Sequence, residues 1–142
     1  MFNFARKQQH NQAMNSLNQP VILVVDDIAT NVTFMKALLK GKNYEVIDAY
    51  SGKEALQLAE ERVPDVIILD IMMPVMDGYE VLARLRANEA TKHIKVVMLS
   101  ALSDSKDIKN AMDLGADEYL TKPVFAKKLY QVLDKYTNRV KE

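Results

Sequence analysis

The chain has no cysteine, which removes any disulfide framework or thiolate metal site. It carries no formal net charge, because nineteen Lys and Arg balance nineteen Asp and Glu. No global field therefore draws it to nucleic acid or to anionic lipid. Its longest apolar runs are strand-sized, far short of the ~20 residues that cross a bilayer. The first twenty residues lack the continuous hydrophobic stretch that a secretory signal needs, and hold eight Asn or Gln instead. These absences point to a cytoplasmic protein with neither a membrane nor a nucleic-acid partner. At 142 residues the length suits one folded domain, read here as residues 20–142 behind a flexible or loosely helical tail at 1–19.

From residue 20 onward, short β-branched runs alternate with stretches of helical period, the pattern of parallel strands joined by crossover helices. Val21 to Val25 is apolar at every position, as a strand covered on both faces requires, and it ends in Asp26 and Asp27. A first helix follows, expected to bury Phe34, Met35, Leu38 and Leu39 and to stop at Gly41. The second strand is Tyr44 to Tyr50, and Ser51 with Glu54 forms a capping box for a helix over 52–61. Val66 to Leu69 is a third strand that finishes in Asp70. Pro74 and Gly78 shape a loop before a helix with the stripe Val81, Leu82 and Leu85, and Val96 to Leu99 then runs into Ser100. A fourth helix is expected to bury Ile108, Ala111, Met112 and Leu114, with Gly115 as its stop. A short fifth strand through Tyr119 and Leu120 leads to Thr121-Lys122-Pro123, and a last helix over 125–137 packs Leu129, Val132, Leu133 and Tyr136.

In an open parallel α/β sheet, ligands bind outside the carboxyl ends of the strands. Asp26, Asp27, Asp70, Ser100 and Lys122 all occupy such ends. Carboxylates brought together raise one another's pKa unless they share a cation, and an all-oxygen set suits Mg²⁺, which prefers one or two carboxylates, waters and a phosphate. An aspartate can attack phosphorus and carry it as an acyl phosphate, with Lys122 as cation and Ser100 as hydroxyl donor. Singly, each residue has a plainer reading as a helix cap, a strand end or a solvated turn lysine. Jointly, their places on strands one, three, four and five favour the chemical reading.

The segments VILVVDD at 21–27, VIILDIMMPVMDG at 66–78, VVMLSA at 96–101 and YLTKP at 119–123 resemble the receiver domain of two-component response regulators of the chemotaxis-regulator type. The resemblance implies a flavodoxin-like doubly wound five-stranded parallel sheet of order 2-1-3-4-5, with helices on both faces. It implies that Asp70 is the phosphoacceptor and that Mg²⁺ is held by Asp27, Asp70 and the backbone carbonyl of Met72, with Asp26 acting mainly through a bound water. Lys122 would contact the phosphoryl group, and Ser100 would bond one of its oxygens and draw Tyr119 inward. A cis bond at Lys122-Pro123 is also implied.

By the same resemblance the donor is a histidine kinase or histidine phosphotransfer protein, docking near Thr30, Asn31 and Phe34. The surface of the fourth helix, fifth strand and fifth helix would change on phosphorylation and serve a downstream protein, onward transfer or a homodimer, with Lys106, Lys109, Lys127 and Tyr130 as members. Met72 and Leu102 are apolar where other receivers often place polar groups that align a hydrolytic water, which implies slow self-dephosphorylation. Turnover as an aspartyl-nucleophile phosphatase is disfavoured, because Met72 stands where the second acid would be. Met72, Met73 and Met76 are read as gap-fillers under the loop. Lone His10 and His93 lack ligand spacing.

Overall fold

The computed structural model describes residues 19–138, so the expected tail lies almost wholly outside the described residues. Five strands alternate with five helices: β1 Val21–Val25, α1 Ala29–Leu39, β2 Glu45–Ala49, α2 Gly52–Arg62, β3 Val66–Asp70, α3 Gly78–Ala87, β4 Lys95–Ser100, α4 Ser105–Asp113, β5 Glu118–Thr121 and α5 Ala126–Thr137. All pairings are parallel, in the order β2-β1-β3-β4-β5. The expected sheet order and element sequence are therefore both present.

Period-two alternation splits the apolar strand residues into two cores. Leu23, Val25, Ile67, Leu69, Val96 and Met98 pack with α2, α3 and α4, while Ile22, Val24, Ile68, Val97 and Leu99 pack with α1 and α5. Ile22, Leu23, Ile67, Ile68 and Leu69 are fully buried, each contributing about 1.5–3 kcal/mol by removal from water. β1 and β3 read as unbroken hydrophobic runs because both of their faces are covered.

Local signals set the helix ends. Ser51 Oγ accepts from the Glu54 amide at 3.1 Å, but the Glu54 carboxylate reaches back to the amide of Tyr50 rather than of Ser51, at 2.8 Å. Asp77 and Asp104 cap α3 and α4. At the amino ends of β4 and β5, the Arg86 guanidinium donates to the carbonyls of Gly115, Lys92 and Ile94 and pairs with Asp117 at 3.1 Å. This clamp ties α3 to both strands at the end away from Asp70.

Four expectations about packing fail. Phe34 is 55% exposed, since Val32, Met35 and Leu39 already fill the face of α1 that meets the sheet. Met112 is exposed, with Ala111 alone fully buried on α4. Met72 fills no gap: it is 61% exposed, whereas Met73 is buried and Met76 is half-buried against α2. Tyr130 turns away from the α4–β5–α5 surface; its hydroxyl donates to the Leu38 carbonyl of α1 at 2.5 Å, and Lys42 stands over its ring.

Candidate functional site

β1 and β3 lie side by side with Val25 opposite Leu69, so the residues that follow, Asp26 and Asp70, emerge together at the carboxyl edge of the sheet. One oxygen from each of Asp26, Asp27 and Asp70 lies within 4.8 Å of the others. Asp26 is buried and well supplied: its carboxylate accepts from the Ile28 amide at 2.9 Å and from the Asn31 side-chain amide at 3.1 Å. Asn31, expected on a docking face, thus also holds an acid of the site. Asp27 differs, because its buried Oδ1 has no hydrogen-bond partner.

An unpaired carboxylate oxygen away from water is costly, and two further acids beside it make the cost greater. The pKa of Asp70 is raised, chiefly by burial and further by Asp26 and Asp27, while Lys122 and the Met72 amide oppose the rise. An orphaned carboxylate oxygen among three converging acids is the donor set that a hard divalent cation satisfies, and Mg²⁺ fits it.

Lys122 reaches this cluster from the β5–α5 loop. Its backbone amide donates to the Ser100 carbonyl at 2.8 Å, its bond to Pro123 is cis as expected, and its Nζ stands 3.3 Å from Asp26 and 3.7 Å from Asp70. One cation therefore spans two of the three acids. Ser100 is fully buried at the end of β4, one residue past Leu99, which pairs with Asp70. Its Oγ accepts from the Leu102 amide at 3.1 Å, and the Tyr119 hydroxyl donates to the Leu102 carbonyl at 2.7 Å. Tyr119 is half-buried against the α2–α3–α4 core, and its own pKa is raised by burial.

The loop from Ile71 to Asp77 folds tightly beneath Asp70. The Gly78 amide donates to the Ile71 carbonyl at 2.8 Å, and a Cβ on Gly78 would lie 2.4 Å from the Asp70 carbonyl oxygen and 2.7 Å from Ile71 Cα. Glycine is needed there because the helix start touches the backbone of the reactive strand end. Val75, by contrast, is fully exposed at φ 70°. For a β-branched residue that left-handed conformation costs about 1–3 kcal/mol. Beside the acids, a cavity of about 190 Å³ opens between α1 and the β5–α5 loop, lined by Phe34, Met35, Leu99, Val124, Asp26 and Lys122 among others.

Residues 22–134 match the family described as the response regulator receiver domain. The chain belongs to the response regulator receiver family. A receiver domain of this kind is the phosphoacceptor signalling module of two-component systems; the family binds Mg²⁺ at an acidic pocket and interacts with histidine kinases or phosphotransfer proteins. The response regulator PleD of Caulobacter vibrioides is 45% identical over 103 residues, which are 72% of this chain and 23% of PleD. The chain spans about a quarter of the length of the curated relatives it matches first. A crystal structure of a response regulator from Chloroflexus aurantiacus superposes with a TM-score of 0.80 at 34% identity, covering 85% of this chain and 99% of that one. The receiver domain of the sensor histidine kinase PA1611 from Pseudomonas aeruginosa superposes with a TM-score of 0.77 at 30% identity, over 83% of this chain and 97% of that one; that domain has a magnesium ion coordinated in its active site cleft. Among the described residues of this receiver, no helix is long and apolar enough to cross a membrane.

Three features of the site were not read from the sequence: the Asn31 contact to Asp26, the backbone contact at Gly78 and the strain at Val75. A lone asparagine gives no such signal. A glycine at the head of a helix, and a valine where the chain must turn between Pro74 and Gly78, are weak ones.

Proposed function

We propose that Asp70 is the phosphoacceptor of this receiver, and that Asp27, Asp70 and the Met72 carbonyl hold Mg²⁺ with Asp26 contributing through water. The observation that carries the reading is the unpaired, buried Oδ1 of Asp27 beside Asp70, with Lys122 set across Asp26 and Asp70. The ionised Asp70 oxygen attacks the phosphorus of a phosphohistidine. A P–O bond forms as the P–N bond breaks, and the departing imidazole nitrogen takes up a proton. The bound divalent cation supplies neutralisation of charge on the phosphoryl oxygens. Lys122 adds a second positive charge, and the Ser100 hydroxyl, whose oxygen accepts from Leu102 and which also bonds the Tyr119 hydroxyl, has a hydrogen that can turn to a phosphoryl oxygen.

The new charge biases the link from Ser100 through Leu102 to Tyr119, and the surface of α4, β5 and α5 carries the result to a downstream protein, to a second copy or onward in a relay. Lys106, Lys109 and Lys127 are exposed on that surface. The module acts in the cytoplasm. The chemistry stops at one self-phosphorylation event and is not turnover of a small substrate.

The test is intact-protein mass after incubation with Mg²⁺ and acetyl phosphate. One phosphoryl adduct, lost with EDTA and in Asp70→Asn, supports the reading. No adduct from an intact fold overturns it in favour of a receiver fold used only as an interaction module.

A further inference from the structure

Asp26 Oδ2 is met by two donors of different kinds. The Asn31 side-chain amide stands 3.1 Å away and the Lys122 ammonium 3.3 Å away, while Oδ1 accepts from the Ile28 amide at 2.9 Å. The carboxylate they hold is buried. No side chain caps α1 at Ile28, and asparagine is a poor helix former, yet Asn31 lies in the first turn of that helix. Its amide serves the end of β1 instead of its own helix end. Lys122 in turn rests closer to Asp26 than to Asp70, at 3.3 Å against 3.7 Å.

We infer that Asn31 is a positioning residue for the phosphorylation of Asp70, its amide holding Asp26 in place while Lys122 moves from Asp26 to the phosphoryl oxygens. The inference rests on the proposed phosphoacceptor role of Asp70. In the resting site the Lys122 charge is engaged by Asp26, so it meets an arriving phosphoryl group only if that bond loosens. A buried carboxylate oxygen left without a donor is costly, and that cost would add to the barrier of transfer. With Asn31 in place, Oδ2 keeps a fixed neutral donor and Oδ1 keeps the Ile28 amide, so Asp26 stays satisfied and does not turn to follow the lysine. A neutral amide suits this task better than a second cation, which would compete with Lys122 for the phosphoryl group and repel the divalent cation. The Asn31 bond goes to Asp26 rather than to Asp27 or Asp70. Its loss therefore falls on the rate of transfer and not on the affinity for Mg²⁺.

The experiment compares the natural chain with Asn31→Leu, which keeps the size of the side chain and removes its donor, and with Asn31→Ala, which serves if the leucine disturbs α1. Each is labelled with phosphoramidate over a range of Mg²⁺ concentrations, and Mg²⁺ affinity is measured separately by calorimetry. Melting in EDTA is followed for Asn31→Ala, Lys122→Met and the double variant. The expected labelling rate at saturating Mg²⁺ is about tenfold lower, with the Mg²⁺ dissociation constant within about threefold of the natural chain. The double variant should lose more melting temperature than the two single losses added, because Asp26 Oδ2 then has neither donor. The inference is overturned if the saturated rate is unchanged, or if excess Mg²⁺ restores it, which would make Asn31 a support of the metal site. It is also overturned if the melting losses simply add, which would separate Asn31 from Lys122, or if both variants fail to fold, which would leave the amide a structural role alone. If phosphoramidate leaves the natural chain itself unlabelled, the phosphoacceptor reading fails and takes this inference with it.

Discussion

The Tyr119 hydroxyl donates to the Leu102 carbonyl at 2.7 Å, and the amide of the same Leu102 donates to Ser100 at 3.1 Å. One residue of the β4–α4 loop therefore answers to a side chain on β4 and to another on β5. A shift of Ser100 towards a group on Asp70 cannot leave Leu102 in place without breaking a hydrogen bond, and Tyr119 is attached to what moves.

That geometry predicts coupling. Tyr119→Phe and Ser100→Ala each remove one hydrogen bond, at about 0.5–1.5 kcal/mol apiece. Because both act on Leu102, and Ser100 also bonds Tyr119 directly, the double variant departs from additivity by about 0.5 kcal/mol or more in urea denaturation. Additive costs would show that the two bonds are independent and that Leu102 transmits nothing.

Asp70→Asn is expected to raise the melting temperature in EDTA at neutral pH. Burial and the neighbouring acids raise the Asp70 pKa in the folded state, so its protonated form is favoured on folding, and this contribution is lost as pH rises through the folded pKa. The neutral amide removes that loss. The gap between variant and natural chain therefore narrows as pH falls and Asp70 itself becomes protonated. A gap that widens towards acid pH contradicts the assigned sign.

Saturating Mg²⁺ should stabilise the natural chain by about 2.7 kcal/mol at a hundredfold excess over its dissociation constant. Asp27→Asn should lose most of that gain, since the orphaned Oδ1 is the atom a cation satisfies. Melting curves with MgCl₂ and with EDTA separate the cases. An equal Mg²⁺ shift in the variant places the ion elsewhere.

The ends of β1, β3 and β4 were legible because each carries an unbroken apolar run that stops at a charged or hydroxyl residue, as at Val25-Asp26, Leu69-Asp70 and Leu99-Ser100. The helix faces were less so. Phe34 fits the apolar period of α1 as well as Leu39 does, but the sheet is covered by Val32, Met35 and Leu39 before Phe34 can reach it. Tyr130 looked like surface because its partner, the Leu38 carbonyl, is ninety-two residues away and belongs to the backbone. Arg86 gave no signal because three of its four partners are main-chain carbonyls, whose positions no side-chain pattern marks. Side chains that bond to distant backbone leave no pattern in a sequence, while periodic burial and strand termini do.

Gly78→Ala is expected to destabilise the fold by about 1–3 kcal/mol and to slow phosphorylation. The added methyl would meet the Asp70 carbonyl oxygen at 2.4 Å, and backbone rather than a flexible side chain must move to relieve it. Because the atoms displaced belong to Asp70 and Ile71, the loss of rate should persist under conditions where the variant is fully folded by circular dichroism. Full activity in the folded variant would mean that the loop relaxes without disturbing Asp70.

Met72→Asn is expected to hasten loss of the phosphoryl group. Met72 stands two residues past Asp70 and is exposed rather than packed, so its thioether borders the mouth of the site and has no donor with which to align an attacking water. An amide at the same place can both donate and accept, and an alignment worth ~1.4 kcal/mol of barrier would shorten the lifetime about tenfold. Leu102, the other apolar position, packs against the α2–α3–α4 core, so changing it confounds rate with stability; Met72 is the cleaner probe. The measurement is decay of label from the isolated, fully phosphorylated chain after the donor is removed. An unchanged lifetime would mean that Met72 does not limit hydrolysis.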